Sequence, residues 1–158
     1  IWAPLQSFLE INPNTPAFNT EHKCLHNQMM YEWIAEKSDL ILITGHTHQP
    51  VFQSLTYIER LYLKLEIARD NNDLVLQKEI ESLLSTQLSK GETIPTYKAF
   101  KPSYFNTGCC CYSDGDITGI EIIEGTIKLV KWSFNANIKI AERVVLEQTN
   151  LDNCFSPS

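Results

Sequence analysis

The chain has 158 residues, of which 43% are hydrophobic and 20% charged, a composition typical of one globular domain with a sizeable core. Its formal net charge of −6 excludes a basic footprint for nucleic acid, so an anionic substrate would need bound cations to approach it. No apolar stretch reaches the roughly 18 residues of a membrane span, and no signal peptide is recognisable. We therefore expect a soluble cytoplasmic protein.

The first elements are a connector, a helix and a strand. Residues 1–20 are rich in Pro and Asn, which favours a turn or short helix followed by an irregular segment. The next segment, TEHKCLHNQMMYEWIAEK, predicts a helix with Thr20 as N-cap. Its expected apolar stripe comprises Leu25, Met29 or Met30, Trp33 and Ile34. The continuous apolar run DLILIT then predicts a strand that is covered on both faces.

Two histidines follow this strand in the sequence TGHTHQP. His46 and His48 are separated by one residue, so in an extended segment both side chains leave the same face. Gly45 permits a sharp backbone change, and Pro50 ends strand pairing. The histidines are either polar groups that cap a core strand or ligands that address one or two metal ions.

A helical hairpin is predicted over residues 54–96. Leu and Ile recur at helical spacing on both sides of a turn at residues 70–73, and Gly91 marks the end of the second helix. An amphipathic pair of this kind most simply packs against the body of the domain, so we assign it no chemistry.

The remainder of the chain has the pattern of strands. SYFNTG, DITGIEIIEG and TIKLVKWSF predict antiparallel strands with one buried face, joined by turns at residues 114–115 and 124–125. ERVVLEQTN predicts one more strand. The element order therefore indicates a mixed α/β sandwich that contains a helical insertion.

Two parts of the chain resemble the calcineurin-like metallophosphoesterases. TGHTHQP is similar to the last signature motif of that family, and YFNTG followed by ITGIEIIEGTIKLVKW resembles the next strands of its bacterial members. The resemblance covers roughly residues 21–53 and 103–133. It implies an αββα sandwich of mixed and antiparallel strands, of which this chain would be the C-terminal half, and two divalent metal ions at strand ends.

The resemblance also implies a chemistry. His46 would bind the second metal and His48 the first, with Mn, Fe or Zn as candidate ions. Two cations about 3.5–4 Å apart clamp a phosphate and lower the pKa of a bridging water, so that hydroxide attacks phosphorus. The expected function is hydrolysis of a small phosphomonoester, phosphodiester or pyrophosphate, and the insertion at 54–96 is the candidate for shaping substrate choice.

The chain departs from the family in its earlier motifs. Asp-x-His, the Gly-Asp that supplies a bridging carboxylate, and Gly-Asn-His have no counterpart here, and the first residue is Ile1 rather than Met. We therefore expect residues 1–158 to be a single, incomplete domain whose missing N-terminal half completes the metal site, and expect the chain to be inactive alone. The family also has a His upstream of its last motif, and His22 or His26 lies at a distance that would suit this further ligand. Because both stand at the start of a helix rather than after a strand, a position on the helix surface is the expected one. Asn106 and Gly108 are expected to brace the loop at residues 45–50 that carries His46 and His48, which we call the histidine loop.

A second function class remains open. In this alternative the chain is a non-catalytic α/β domain in which His46 and His48 have a structural role. The helical hairpin would then serve as an interaction surface.

Overall fold

The computed structural model describes residues 20–45, 47–91, 101–108, 115–135 and 140–155. Within these ranges the chain forms three α-helices, a mixed four-stranded sheet and a three-stranded antiparallel sheet, which confirms the expected α/β class. Residues 1–19 of the predicted connector, His46 and Asp114 lie outside the described residues.

The elements follow one another along the chain as α1 (Thr20–Ala35), β1 (Leu42–Thr44), β2 (Val51–Phe52), β3 (Leu55–Thr56), α2 (Tyr57–Asp70), α3 (Leu74–Ser89), β4 (Tyr104–Asn106), β5 (Ile117–Ile123), β6 (Thr126–Asn135), β7 (Ile140–Asn150) and a closing 3₁₀ turn (Leu151–Cys154). None of the helices in the described part of the chain is long and apolar enough to cross a bilayer.

The four-stranded sheet has the order β1-β4-β2-β3. β4 pairs in parallel with β1, so that Leu42 lies opposite Tyr104 and Thr44 opposite Asn106, and it is antiparallel to β2. The prediction that this strand belongs with the later antiparallel strands is therefore wrong. The long connection through α2 and α3 lets the chain return and enter the sheet in the same direction as β1.

The strand predicted from DLILIT is shorter and less covered than expected. Only Leu42–Thr44 is extended, and the Ile43 side chain is 40% exposed, so the prediction of burial on both faces is wrong. Ile41 and Leu42 pack into two different core clusters. Within the described residues β1 is an edge strand of this sheet, and its neighbour there is β4. A run of apolar residues does not by itself show that a strand lies at the edge of a sheet.

Helix α1 presents a different face to the core from the one predicted. Leu25, Met29 and Trp33 are 55%, 56% and 52% exposed, whereas the buried positions are Asn27, Tyr31 and Ile34. Of the predicted stripe, Ile34 alone is fully buried. The positions of the apolar residues indicated the wrong face of α1, because the buried face includes Asn27, whose side chain is a polar amide.

Helices α2 and α3 form a hairpin with a core of its own. Ile58, Leu61, Leu65 and Ala68 of α2 contact Ile80 and Leu84 of α3. Thr56 caps α2 in a capping box with Glu59, and the Asp73 side chain caps α3 by accepting from Leu76 N at 3.0 Å. The predicted turn after Asp70 thus also supplies the start of the second helix.

Strands β5, β6 and β7 form an antiparallel sheet in this order, as predicted for these segments. Glu124 and Gly125 form the β5–β6 turn with φ values of 49° and 73°, the left-handed pair that suits a tight hairpin. The two sheets meet through a shared core of Phe52, Phe105, Ile127, Leu129 and Cys154. This packing joins β2 and β4 of the mixed sheet to β6 of the antiparallel sheet.

Candidate functional site

The loop that follows β1 begins where β1 and β4 approach closely. Thr107 N donates to Thr44 O at 2.9 Å, which extends the parallel pairing past the strand end. A Cβ added at Gly45 would lie 2.9 Å from Thr107 Oγ1, while the φ of Gly45 lies outside the left-handed region. The described contact therefore gives Gly45 a role in the close approach to Thr107, and its φ needs no glycine. The expected backbone change toward His46 stays a prediction, because His46 lies outside the described residues.

His48 has an uncommon backbone conformation. Its φ is 56°, in the left-handed region that non-glycine residues seldom occupy. Its side chain is half-buried between Thr47 and Gln49, which are both buried. Five other described residues share this conformation, namely Asp39, Gln53, Ser54, Asn72 and Glu124. At His48 it is combined with a following residue, Gln49, that is tied to Asn27 in the core.

A buried cluster of polar side chains holds the loop from below. Asn27 Nδ2 of α1 donates to Gln49 Oε1 at 2.9 Å, and Asn27 Oδ1 accepts from Tyr104 OH at 2.9 Å. The Tyr104 proton is used in that bond, so the Thr44 hydroxyl, 3.0 Å away, is the donor in its contact with Tyr104. The cluster joins α1, β1, β4 and the residue after His48. We call these four side chains and Asn106 the amide cluster.

Asn106 and Gly108 brace this arrangement as the sequence predicted. Asn106 Oδ1 accepts from Gly108 N at 2.9 Å, and Asn106 Nδ2 donates to Tyr104 OH at 3.1 Å. Gly108 has a φ of 78°, which a glycine adopts without strain. The Asn-Thr-Gly segment therefore fixes the end of β4 beside the histidine loop.

The amide cluster carries no formal charge at neutral pH. Burial raises the pKa of Tyr104, against the smaller opposing effect of its hydrogen bonds with Thr44 and Asn106. Tyr104 accordingly remains a neutral donor to Asn27 under physiological conditions. The cluster can orient the loop, but it supplies neither a base nor a metal-binding carboxylate.

The described residues do not by themselves form a metal centre. No group of three or more His, Cys, Asp or Glu side chains converges within them. Asp116 pairs with Lys131 at 2.7 Å, and Glu121 pairs with Arg143, so these carboxylates stabilise the antiparallel sheet. Their pKa values are lowered chiefly by the hydrogen bonds from Lys131 and Arg143.

The four histidines of the chain belong to two segments. His48 lies in the loop after β1, whereas His26 is exposed on α1, in agreement with a helix-surface interpretation. His22 belongs to the first turn of α1, but its side chain is outside the description, as is His46 as a whole.

Sequence reasoning missed Asn27, Gln49 and Tyr104. Asn27 follows His26 directly and stands four and seven residues before Tyr31 and Ile34, so helical spacing does connect it with buried positions. A polar residue within an amphipathic helix is ordinarily assigned to the solvent face. Only the partners from β4 and the loop show that it belongs inside.

Comparison with family models, with curated proteins and with solved structures finds no match for this chain. The evidence for a function of this chain therefore comes from the residues of the histidine loop and from their geometry.

Proposed function

We propose that this chain contributes the histidine side of a metal-dependent phosphoesterase site. In this proposal His46 and His48 bind divalent metal ions, and the reaction is hydrolysis of a phosphomonoester, phosphodiester or pyrophosphate. The observation that carries the proposal is the conformation of His48: a left-handed residue shortly after a strand, in a loop tied to the core through Gln49 and Asn27. The similarity of TGHTHQP to a phosphoesterase signature supports the same interpretation.

The described residues supply only part of the ligands that the proposed metal ions need. A neutral imidazole is a good ligand for Mn, Fe and Zn, and a strand-end loop with a fixed backbone reduces the cost of ordering it. However, catalytic metal sites use about three protein ligands, and the described residues contribute His48 alone. The proposal therefore requires His46 and carboxylates from outside the described residues.

The chemical need for metal follows from the charge of the chain. A net charge of −6 repels a phosphate, and the described part of the histidine loop holds no Lys or Arg. When bound, a pair of divalent ions would neutralise the phosphate and activate a water for attack. The amide cluster would then fix the backbone next to His48, because Asn27 bonds to Gln49, the residue that follows it.

The test measures metal content and hydrolysis in the intact protein. With Mn²⁺ and an aryl phosphate or bis-aryl phosphate, His48→Ala should lose bound metal and reduce kcat/KM by about 100-fold or more. The matched control is His26→Ala, because His26 is an exposed histidine of the same chain. Full activity and metal content in His48→Ala would contradict the proposed site.

An interaction domain is the second candidate, and the exposed face of α1 favours it. Leu25, Met29 and Trp33 lie four residues apart on one side of the helix, and the nearby Leu40 is exposed as well. Exposed apolar side chains that adjoin one another are typical of contact surfaces. Equilibrium dialysis with Mn²⁺ separates the candidates, since an interaction domain would bind no more metal than the His46→Ala/His48→Ala double variant.

A further inference from the structure

A cavity of about 820 Å³ opens beside the histidine loop. One wall is the helical hairpin, the other is formed by β6 and β7, and His48, Gln49 and Pro50 of the histidine loop also line it. Ligand pockets in proteins commonly have volumes of about 300–1,000 Å³ and mostly apolar walls. The cavity therefore has the size of a binding site and reaches the proposed metal ligand.

The walls of this cavity are rich in large apolar side chains that remain accessible. Six of them are exposed although they line a concavity rather than a convex surface, namely Tyr57, Ile67, Leu76, Leu83, Val145 and Leu146. Side chains of this kind gain most from a partner that removes them from water. Helix capping and the separate core of the hairpin hold both helices in place, so the walls are formed before any ligand binds.

The charged residues of the lining are paired with one another or with a neighbour. Arg60 and Lys64 converge on the same carboxylate oxygen, Glu147 Oε1, at 3.3 and 2.8 Å. Lys131 is paired with Asp116 at 2.7 Å. The cavity is therefore close to neutral in a chain whose net charge is −6, and the attraction for a phosphate group comes from the metal ions of the proposed function.

We propose that this cavity binds the hydrocarbon chain of an amphiphilic phosphoester, such as a long-chain alkyl phosphate. The phosphate lies at the His48 end, and the chain extends between the hairpin and β7. The inference rests on the proposed function for the identity of the reacting group, and it adds a substrate class. It also gives the helical insertion a role, because α2 and α3 supply most of the apolar wall.

The first test measures binding without metal. The chain is titrated calorimetrically with decyl phosphate and with butyl phosphate in EDTA, below the micelle concentration of the longer ligand. Decyl phosphate should bind at least tenfold more tightly than butyl phosphate, because only the longer chain can cover the apolar walls of the cavity. Equal affinity for the two phosphates would overturn the inference.

Matched variants locate the binding. Leu83→Glu and Ile67→Glu place a carboxylate in the wall and should weaken decyl phosphate binding by tenfold or more. Leu88→Glu and Leu63→Glu are the controls, because both residues are exposed leucines of the same two helices and neither is part of the lining. Thermal melts verify that each variant is folded. Equal losses in the wall and control variants would contradict the inference.

Two further readouts separate this inference from its rivals. Sedimentation that shows dimers in the parent chain but monomers in Leu83→Glu would identify the groove as an interface between copies, and would overturn the inference. Hydrolysis of aryl phosphates by the intact protein with Mn²⁺ tests the proposed function independently. Loss of that activity in His48→Ala, with the preference for decyl over butyl phosphate retained, is the result expected if both proposals hold.

Discussion

Asn27 is the residue on which the geometry of the histidine loop depends most directly. Its amide nitrogen contacts Gln49, and its carbonyl oxygen accepts from Tyr104 and, at 3.4 Å, from Asn106. All four residues are buried, so their polar atoms have little access to water that could replace a lost partner. The stability of the loop and the position of His48 are therefore coupled through one side chain.

Replacing Asn27 by Ala should destabilise the fold and loosen the loop. The change removes the buried hydrogen bonds that Asn27 makes with Gln49 and with Tyr104, and the loss of each costs about 1–3 kcal/mol when no water replaces it. We expect a decrease of about 2 kcal/mol or more in the free energy of unfolding by urea titration. Gln28→Ala is the control, since its bond with Glu32 is exposed and should change stability by at most about 0.5 kcal/mol. An equal effect of the two variants would contradict the role of the amide cluster.

Tyr104 gives the protein a pH dependence at alkaline pH. Because burial raises its pKa in the folded state above the unfolded value of about 10, the stability that depends on the neutral phenol is complete below pH 10. That stability decreases as the pH rises through the folded pKa. The difference in unfolding free energy between the parent and Tyr104→Phe, about 1 kcal/mol at pH 8, should shrink between pH 10 and 12. A difference that stays constant over this range would show that Tyr104 does not titrate as described.

At the scale of the elements, helix starts and hairpin turns fix where each segment begins. Thr56 ends β3 and caps α2: its backbone N and its hydroxyl both contact Glu59 Oε2, at 2.8 and 2.7 Å. The T-x-x-E pattern of this capping box is visible in the sequence. It places the first turn of α2 directly after the short β2–β3 hairpin.

Thr56→Ala should lower the unfolding free energy by about 0.5–2 kcal/mol, because it removes the capping hydroxyl of α2. The control is Thr86→Ala in the exposed last turn of α3, where Thr86 Oγ1 donates to Ser82 O. Alanine is the better helix former there, so the control should be neutral or slightly stabilising. Chemical denaturation of both variants under the same conditions makes the comparison, and an unchanged Thr56→Ala would argue against the cap.

The β5–β6 turn offers a stabilising change. Glu124 occupies a left-handed conformation that asparagine adopts more readily, and Gly125 already follows it. Glu124→Asn should therefore raise the unfolding free energy by about 0.5 kcal/mol. Thermal melts detect the increase. A lower melting temperature would show that the Glu124 side chain contributes more than its backbone strain costs.

At the scale of the whole molecule, Glu147 of β7 connects the antiparallel sheet to the helical hairpin through ion pairs with Arg60 and Lys64 of α2. Arg60 of α2 lies 3.3 Å from Glu147 of β7, and their side chains are 9% and 19% exposed. Burial lowers the pKa of Arg60, and the nearby Glu147 opposes that effect. Arg60 also donates to Leu55 O, which ties the start of the hairpin to β3.

Glu147→Gln should destabilise the protein by about 2–3 kcal/mol, because it leaves the buried guanidinium without its counter-charge. Glu81→Gln is the matched control, since the Arg69–Glu81 pair within the same hairpin is 56% and 53% exposed. An exposed pair of that kind contributes at most about 1 kcal/mol. Urea unfolding of the two variants tests the difference, and equal effects would show that the hairpin is not anchored through Arg60.

The sequence predicted those features that depend on neighbours along the chain. The helical hairpin, its turn at residues 70–73, the β5–β6 turn and the bracing role of Asn106 all follow from local patterns, and the structure has them. The expected phosphoesterase activity, its two metals and the role of His46 stay predictions. The inner face of α1 and the parallel entry of β4 were missed, because both depend on residues far away in the sequence.

The sequence by itself determined the element types and placed His46 and His48 two residues apart after a strand, since helical periodicity, turn residues and a two-residue spacing act over short distances. Only the tertiary structure decided which face of α1 is buried, that Asn27 supports the loop, and that a cavity joins His48 to the helical insertion. The physical reason is that a buried amide is tolerated only where distant partners satisfy its hydrogen bonds. Tyr104 and Asn106 reach Asn27 because β4 pairs with β1, although the two strands are far apart in the sequence.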